Sequence, residues 1–75
     1  MILMKTKHLQ GVGTVNAKPA ASVVAGDKLQ YNYGDVYTVE AVREASKQFV
    51  EFDQRCAKGR LYTNRYKKDK LVGIA

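Results

Sequence analysis

The segment from Gly59 to Lys70, GRLYTNRYKKDK, combines the side chains best suited to bind a polyanion. Its arginines and lysines are interleaved with two tyrosines and one asparagine, and Asp69 is its only acidic residue. Arginine and lysine contact phosphates, asparagine hydrogen-bonds to base edges, and tyrosine rings stack on bases. This segment is therefore the first candidate for a binding site, with nucleic acid as the candidate ligand.

The charge of the chain is distributed unevenly. Residues 1–53 contain six basic and six acidic residues, whereas residues 54–75 contain seven basic residues and one acidic residue. The whole formal net charge of +6 therefore lies in the last 22 residues. A one-sided basic stretch is typical of polyanion binders, although small domains also carry net charge for solubility.

An extended conformation over residues 60–66 would divide these side chains between two faces. Alternation along a strand places both tyrosines and Asn64 on one face with Arg60, and Arg65 on the other. The lysines that follow would extend the basic surface. The predicted nucleic-acid-binding residues are Lys58, Arg60, Tyr62, Asn64, Arg65, Lys67, Lys68 and Lys70.

The same residues allow a purely structural interpretation, which the sequence leaves open. Tyr62 and Tyr66 would then be core residues with their hydroxyl groups at the rim. Arg60 and Arg65 would pair with acidic residues of neighbouring strands, each exposed pair contributing about 0.2–1 kcal/mol. The candidate acidic partners are Glu40, Glu51 and Asp53.

Other kinds of chemistry have little support in the sequence. The acidic residues alternate along predicted solvent faces, so we expect no catalytic acid–base pair and no enzyme activity. Cys56 lies close to Arg55 and Lys58, which favours its thiolate. The only histidine, His8, lies in the N-terminal segment, so the body of the domain has no histidine to orient the thiolate. One cysteine and one histidine exclude a four-ligand zinc site within the chain. We expect neither a metal nor a cofactor.

Period-two alternation of apolar and polar residues predicts half-buried strands. In KLQYNY, Leu29, Tyr31 and Tyr33 share one face, and in VYTVEAV, Tyr37, Val39 and Ala41 do so. A helix over residues 36–50 is the alternative, because VEAVREASKQF contains good helix formers. The predicted strands cover residues 28–33, 36–42, 48–53, 60–66 and 71–75, with a single helical turn at residues 67–70.

Short strands separated by turn residues predict an all-β fold, either a small barrel or a curled sheet. We expect about five short antiparallel strands within one domain over residues 19–75, because closing such a sheet removes its exposed edges. Gly11, Gly13 and Asn16 interrupt the first 18 residues. We interpret residues 1–18 as a flexible N-terminal arm with one short strand around residues 13–15.

The stretch VVAGDKLQYNYG resembles the opening of SH3-like small barrels, including the KOW modules of transcription and ribosomal proteins. Those modules begin with a Val-x-x-Gly-Asp-x-apolar pattern and reach another glycine after the first strand. The resemblance covers residues 23–74 and implies an SH3-like β-barrel, a fold that binds peptides, RNA, DNA or other proteins. In overall character, GDKLQYNYGDVYTV is also similar to segments of small uncharacterised bacteriophage proteins. The matching residues are Val23, Gly26, Asp27, Leu29 and Gly34.

Two classes of partner remain open. Nucleic acid, either DNA or RNA, is the leading hypothesis and predicts steep salt dependence. The alternative is an acidic protein, bound by an accessory or host-modulating phage protein through Tyr31, Tyr33 and Phe49. Phe49 is out of phase with Val50 and Phe52, which predicts an exposed apolar spot for a protein contact or a homodimer seam.

The sequence also predicts a soluble, cytoplasmic protein without membrane contact. No apolar run approaches the roughly 18–20 residues that a membrane-spanning helix requires. The apolar start precedes the first basic residues, which is the reverse of the order in a secretory signal. A single unpaired cysteine suits a reducing compartment.

Overall fold

The computed structural model describes residues 5–75, which form an all-β structure without an α-helix. The all-β prediction is confirmed, and the alternative helix over residues 36–50 is wrong, because that region forms a β-hairpin. No helix in this part of the chain is long and apolar enough to cross a membrane. The strands are β1 (Lys5–Leu9), β2 (Gly13–Pro19), β3 (Lys28–Gln30), β4 (Val36–Glu44), β5 (Phe49–Arg55), β6 (Leu61–Lys67) and β7 (Leu71–Ile74), with 3₁₀ turns at Ala20–Ser22 and Asn32–Gly34.

All seven strands belong to one antiparallel sheet in the order β1-β2-β7-β3-β4-β5-β6. β7, the last strand in the chain, lies between β2 and β3 and so joins the N-terminal hairpin to the β3–β6 meander. The five strands expected from the sequence are present as β3 to β7. The expected closed barrel of five strands is not observed, since the sheet has seven strands and is open at β1 and β6.

Residues 5–19 form a hairpin in the region where the sequence predicted a flexible arm. Gly11 and Gly13 adopt φ values of 78° and 105°, which favour glycine, and they form the turn between β1 and β2. Leu9 and Ala17 are buried, and β2 pairs with β7, so the hairpin is part of the sheet. The short strand expected around residues 13–15 extends over all of β2. Residues 1–4 of the predicted arm lie outside the described residues.

A β-bulge in β4 changes the face on which its side chains lie. Val39 and Ala41 lie opposite consecutive residues of β5, which leaves Glu40 as the extra residue. Side chains beyond the bulge therefore change phase, and Val42 packs against the core together with Val39. Simple alternation had placed Ala41 on the face of Val39, and this part of the prediction is wrong.

The apolar core lies on one face of the sheet. Phe52 and Leu29 have no exposed surface, and both come from strands with the predicted alternation of apolar and polar residues. Burying a side chain of this size contributes about 1.5–3 kcal/mol, so alternation determines which face turns inward. The buried apolar cluster contains Ala20, Val23, Leu29, Val39, Val50, Phe52 and Val72, and Tyr31, Val42 and Tyr66 pack against it.

The connection between β6 and β7 is a tight turn, and the helical turn predicted for residues 67–70 is not formed. The Lys70 N–H donates a hydrogen bond of 3.1 Å to the Lys67 carbonyl. The Lys68 N–H donates to the Gln48 carbonyl at 2.9 Å, and the Lys68 carbonyl accepts from the Ala21 N–H at 3.0 Å. These bonds hold the end of β6 beside the Ala20–Ser22 turn.

Candidate nucleic-acid interface

A groove of about 640 Å³ opens beside the core. Its walls come from β1 and from strands β3 to β7, so residues far apart in the sequence meet there. Tyr31 and Tyr66 contribute both to the groove wall and to the shell of the core. Other polar and aromatic side chains in the groove include Gln30, Tyr37, Gln54 and Asn64.

Three tyrosine rings form a continuous row on the groove side of the sheet. The Tyr31 and Tyr37 ring centroids are 5.1 Å apart with an interplanar angle of 84°, and those of Tyr37 and Tyr62 are 5.9 Å apart at 69°. Edge-to-face pairs of this kind are attractive because the positive ring edge meets a negative ring face, and each contributes about 0.5–1.5 kcal/mol beyond burial. The ring orientations are therefore held by the fold before any ligand binds.

A hydroxyl–amide network lies at the bottom of the groove. The Tyr31 hydroxyl donates to Gln54 Oε1 at 3.0 Å and lies 2.9 Å from the Tyr66 hydroxyl. Gln54 is only 1% exposed, so its carbonyl oxygen depends on this donor. Burial raises the pKa of the Tyr31 hydroxyl, and its contact with Tyr66 acts in the same direction. Tyr31 therefore stays neutral at physiological pH and keeps its proton for the network.

Basic side chains stand along the rim. Lys7 and His8 come from β1, and Lys70 follows β6. Lys7 Nζ donates to the Leu71 carbonyl at 3.2 Å. Partial burial lowers the pKa of Lys7, and the positive charge of Lys70 lowers it further. An anion bound near these two ammonium groups would relieve their repulsion, so this rim suits a negatively charged ligand.

The structure places four of the eight predicted nucleic-acid-binding residues on the groove side of the sheet. Asn64 and Lys70 line the groove itself, together with Tyr66, which is not in the predicted set. Lys58 and Tyr62 line an adjoining depression of about 460 Å³. The core interpretation fits Tyr66, which packs against the core, but not Tyr62, which is 42% exposed.

The other predicted basic residues do not line the groove. Arg65 pairs with Glu51 at 3.5 Å, and Lys68 pairs with Glu44. Arg60 and Lys67 are exposed, and no acidic side chain within residues 5–75 lies within 4.0 Å of their charged groups. Arg60 and Lys67 therefore remain free to meet an anion.

The opposite face of β4, β5 and β6 carries a network of ion pairs. Arg43 donates to both carboxylate oxygens of Asp53, at 2.9 and 2.8 Å, and to Glu51 at 2.7 Å. The Thr63 hydroxyl donates to Asp53 at 2.8 Å. The Arg43 guanidinium, with help from Thr63, lowers the pKa of Asp53 to about 2. Because Arg65 also pairs with Glu51, the charges on this face compensate one another and it is a poor polyanion surface.

The predicted protein-contact residues do not form one surface. Tyr31 and Tyr33 line the groove, and Tyr33 is 70% exposed. Phe49 is half-buried and lies opposite Lys67 at the start of β5, on the ion-paired face. The exposed apolar spot expected at Phe49 is therefore smaller than the sequence suggested.

Several groove residues escaped prediction. Lys7 and His8 lie in the segment that the sequence predicts to be an arm, and Gln54 lies in the predicted connection after the third strand. Tyr37 was identified only as an alternating apolar position. The alternation that places Tyr37 on the face of Val39 could have indicated a tyrosine row, since Tyr31 precedes it on the neighbouring strand.

No protein-family model, no curated protein and no solved structure matches this chain. Inference about function therefore depends on the chemistry of the groove and its rim.

Proposed function

We propose that this protein is a small, non-enzymatic binding module for nucleic acid. The observation that carries the proposal is the tyrosine-lined groove with Lys7 and Lys70 at its rim. Tyrosine rings suit stacking on bases, groove amides suit base edges, and ammonium groups suit phosphates. The combination is more specific than the basic composition of the C-terminal segment alone.

The phosphate-contacting residues of this proposal differ from the sequence-based set in a definite way. Arg65 and Lys68 are offset by acidic partners, so they contribute less than the others. Lys7 is added because of its place on the rim. Lys67 is left out because it lies opposite Phe49 on the ion-paired face. The proposed phosphate contacts are Lys7, Lys58, Arg60 and Lys70, with Tyr62, Asn64 and the added Tyr66 as base contacts.

We also propose an SH3-like arrangement for strands β3 to β7, with the β1–β2 hairpin as an addition at β7. The antiparallel order β7-β3-β4-β5-β6 supports this, because the last strand pairs with the first of the five. The entry turn supports it as well. Gly26 has a φ of 97°, and the Asp27 carboxylate accepts a 2.9 Å hydrogen bond from the Val24 N–H, which are the roles that the Gly-Asp motif implies.

The absence of catalysis remains part of the proposal, together with a cytoplasmic location. The absence of catalysis is supported by the roles of five of the seven acidic residues, since Asp27, Glu40, Glu44, Glu51 and Asp53 pair with arginine or lysine. The other two are Asp35, which lines the groove, and Asp69. A carboxylate held ionised by a basic partner is poorly placed to act as a general acid.

A protein-interaction module for an acidic partner is the second candidate function, as in an accessory or host-modulating phage protein. One observation favours it. Val12 and Tyr33 are both exposed, and they lie close together where the β1–β2 turn meets the Asn32–Gly34 turn. A partner that docks on this apolar spot would also meet the basic rim.

Fluorescence anisotropy of labelled single-stranded and duplex oligonucleotides at 50 and 200 mM salt tests the proposal. The four proposed phosphate contacts predict a slope near −3 for log K against log salt on single strands, or roughly 60-fold weaker binding at the higher salt. Lys70→Glu should lose most of the binding. Lys28→Glu is the matched control, because Lys28 is exposed and does not line the groove. No binding by the wild-type protein at low salt, or equal losses in both variants, would refute the proposal.

A further inference from the structure

The backbone of Tyr33 is held in an unfavourable conformation. Its φ of 65° and ψ of 15° lie in the left-handed region, and it is the only non-glycine residue with positive φ among residues 5–75. A bulky side chain rarely occupies this region, because its Cβ approaches the following carbonyl oxygen. Tyr33 is nevertheless 70% exposed, so burial of its side chain does not explain why a tyrosine is there.

The neighbouring turns hold Tyr33 in place. The Tyr33 N–H donates to the Gln10 carbonyl at 2.7 Å, and the Gln10 N–H donates to Asn32 Oδ1 at 3.0 Å. The ring lies against Gly11, where a Cβ atom would come within 2.8 Å of Tyr33 Cδ1. The β1–β2 turn is therefore shaped to accept this ring, and only glycine fits beneath it.

None of these backbone bonds requires a tyrosine at position 33. Asparagine and glycine adopt the left-handed region more readily and would donate the same N–H bond. The ring does line the mouth of the groove, beside Lys7 and His8. Backbone strain at an exposed aromatic residue indicates that the side chain serves to contact another molecule.

We propose that Tyr33 is a stacking platform for an unpaired base of a single-stranded nucleic acid, whose adjacent phosphates lie against Lys7 and Lys70. This inference rests on the proposed function and narrows it. A base within a duplex has both faces covered by its neighbours, so a ring at the groove mouth can stack only on a base that is splayed out. The positive rim matches the charge of the strand that carries the base.

The test compares Tyr33→Asn with Tyr33→Phe, using a fluorescein-labelled 12-nucleotide oligo(dT) and a labelled 12-base-pair duplex. Tyr33→Asn removes the ring and fits the left-handed backbone. We expect its melting temperature to rise by roughly 4 °C or more, and its affinity for the single strand to fall by roughly 5- to 150-fold. Tyr33→Phe keeps both the ring and the strain, so its stability and affinity should stay within about twofold of wild type.

Tyr33→Asn is expected to raise the melting temperature and to weaken binding to the single strand. This combination separates a binding role of Tyr33 from a structural one. A variant Tyr33→Asn that melts lower than wild type would overturn the inference, because the tyrosine would then be stabilising the fold. Unchanged oligo(dT) binding by Tyr33→Asn, or equal affinity of the wild-type protein for strand and duplex, would overturn it while leaving the proposed function intact. Failure of the wild-type protein to bind either probe at 50 mM salt would overturn both proposals.

Discussion

Removing the Tyr31 hydroxyl should destabilise the protein because it leaves buried Gln54 without its hydrogen-bond donor. The Tyr31 hydroxyl donates to Gln54 Oε1, and Gln54 is 1% exposed. Tyr31→Phe therefore leaves a buried carbonyl oxygen without this donor, which costs about 1–3 kcal/mol. The Tyr66 hydroxyl also loses its contact with Tyr31.

A second substitution should recover much of that loss. In the double variant Tyr31→Phe/Gln54→Leu both polar partners are replaced by apolar groups, a change that can be nearly neutral. The two substitutions should therefore couple by about 1 kcal/mol or more in a double-mutant cycle. Tyr62→Phe is the matched control, because Tyr62 is 42% exposed whereas Gln54, the partner of Tyr31, is buried.

Urea unfolding followed by circular dichroism gives the free energies of unfolding for these four variants and the wild type. At this chain length a change of 1 kcal/mol corresponds to about 4–8 °C in melting temperature, which is easily measured. If Tyr31→Phe lowers the free energy of unfolding no more than Tyr62→Phe, or if the effects of Tyr31→Phe and Gln54→Leu simply add, the hydroxyl–amide network does not stabilise the bottom of the groove. The account of a preformed groove would then be wrong.

Three further outcomes are expected. Gly11→Ala should lower the free energy of unfolding by more than Gly59→Ala, since both glycines have positive φ but only Gly11 lies against the Tyr33 ring. Urea unfolding of the two variants measures the difference, and equal losses would contradict the packing of Tyr33 on Gly11. The pKa of Asp53 is lowered to about 2 in the folded protein, from an unfolded value near 4. Its contribution to the free energy of unfolding is therefore present above about pH 4 and is lost as the pH falls from about 4 to about 2. Asp53→Asn should flatten the dependence of the free energy of unfolding on pH in that window, and an unchanged dependence would count against the ion-pair network. Arg65→Ala should weaken oligonucleotide binding less than Lys70→Ala because Arg65 already has an acidic partner, and anisotropy titrations that rank them the other way would contradict the placement of the interface.

The strands of the meander are the part of the fold that sequence reasoning recovers well. Alternation around Leu29, Val39 and Phe52 predicts β3, β4 and β5. The pattern is visible within a few residues, and burying the alternate apolar side chains contributes a large free energy. The bulge at Glu40 cannot be found in this way, because it depends on the pairing register with β5.

The N-terminal hairpin was missed for a related reason. In the sequence, Gly11 and Gly13 indicate an interruption, whereas in the structure their positive φ values allow the turn that joins two strands. Leu9 and Ala17 become buried only once β7 pairs with β2, and that contact joins the two ends of the chain. Periodicity within a short window does not contain such information.

The candidate site was only partly predictable. Asn64 and Lys70 can be selected from the sequence because they lie close together in a segment rich in basic and aromatic residues. The pairing of Arg65 with Glu51 could be foreseen only as one of several alternatives, because it requires the β5–β6 register. The groove itself combines β1 with distant strands, so it becomes visible only in three dimensions.

The most direct test of the central claim is an NMR titration of uniformly ¹⁵N-labelled protein with an unlabelled 12-nucleotide oligo(dT). A nucleic-acid interface in the groove predicts amide shift changes at residues 7–9, 30–33, 64–66 and 70, which weaken as salt is raised. Shift changes confined to the ion-paired face around Arg43, Glu51 and Asp53, or a spectrum that does not respond at 50 mM salt, would contradict the account.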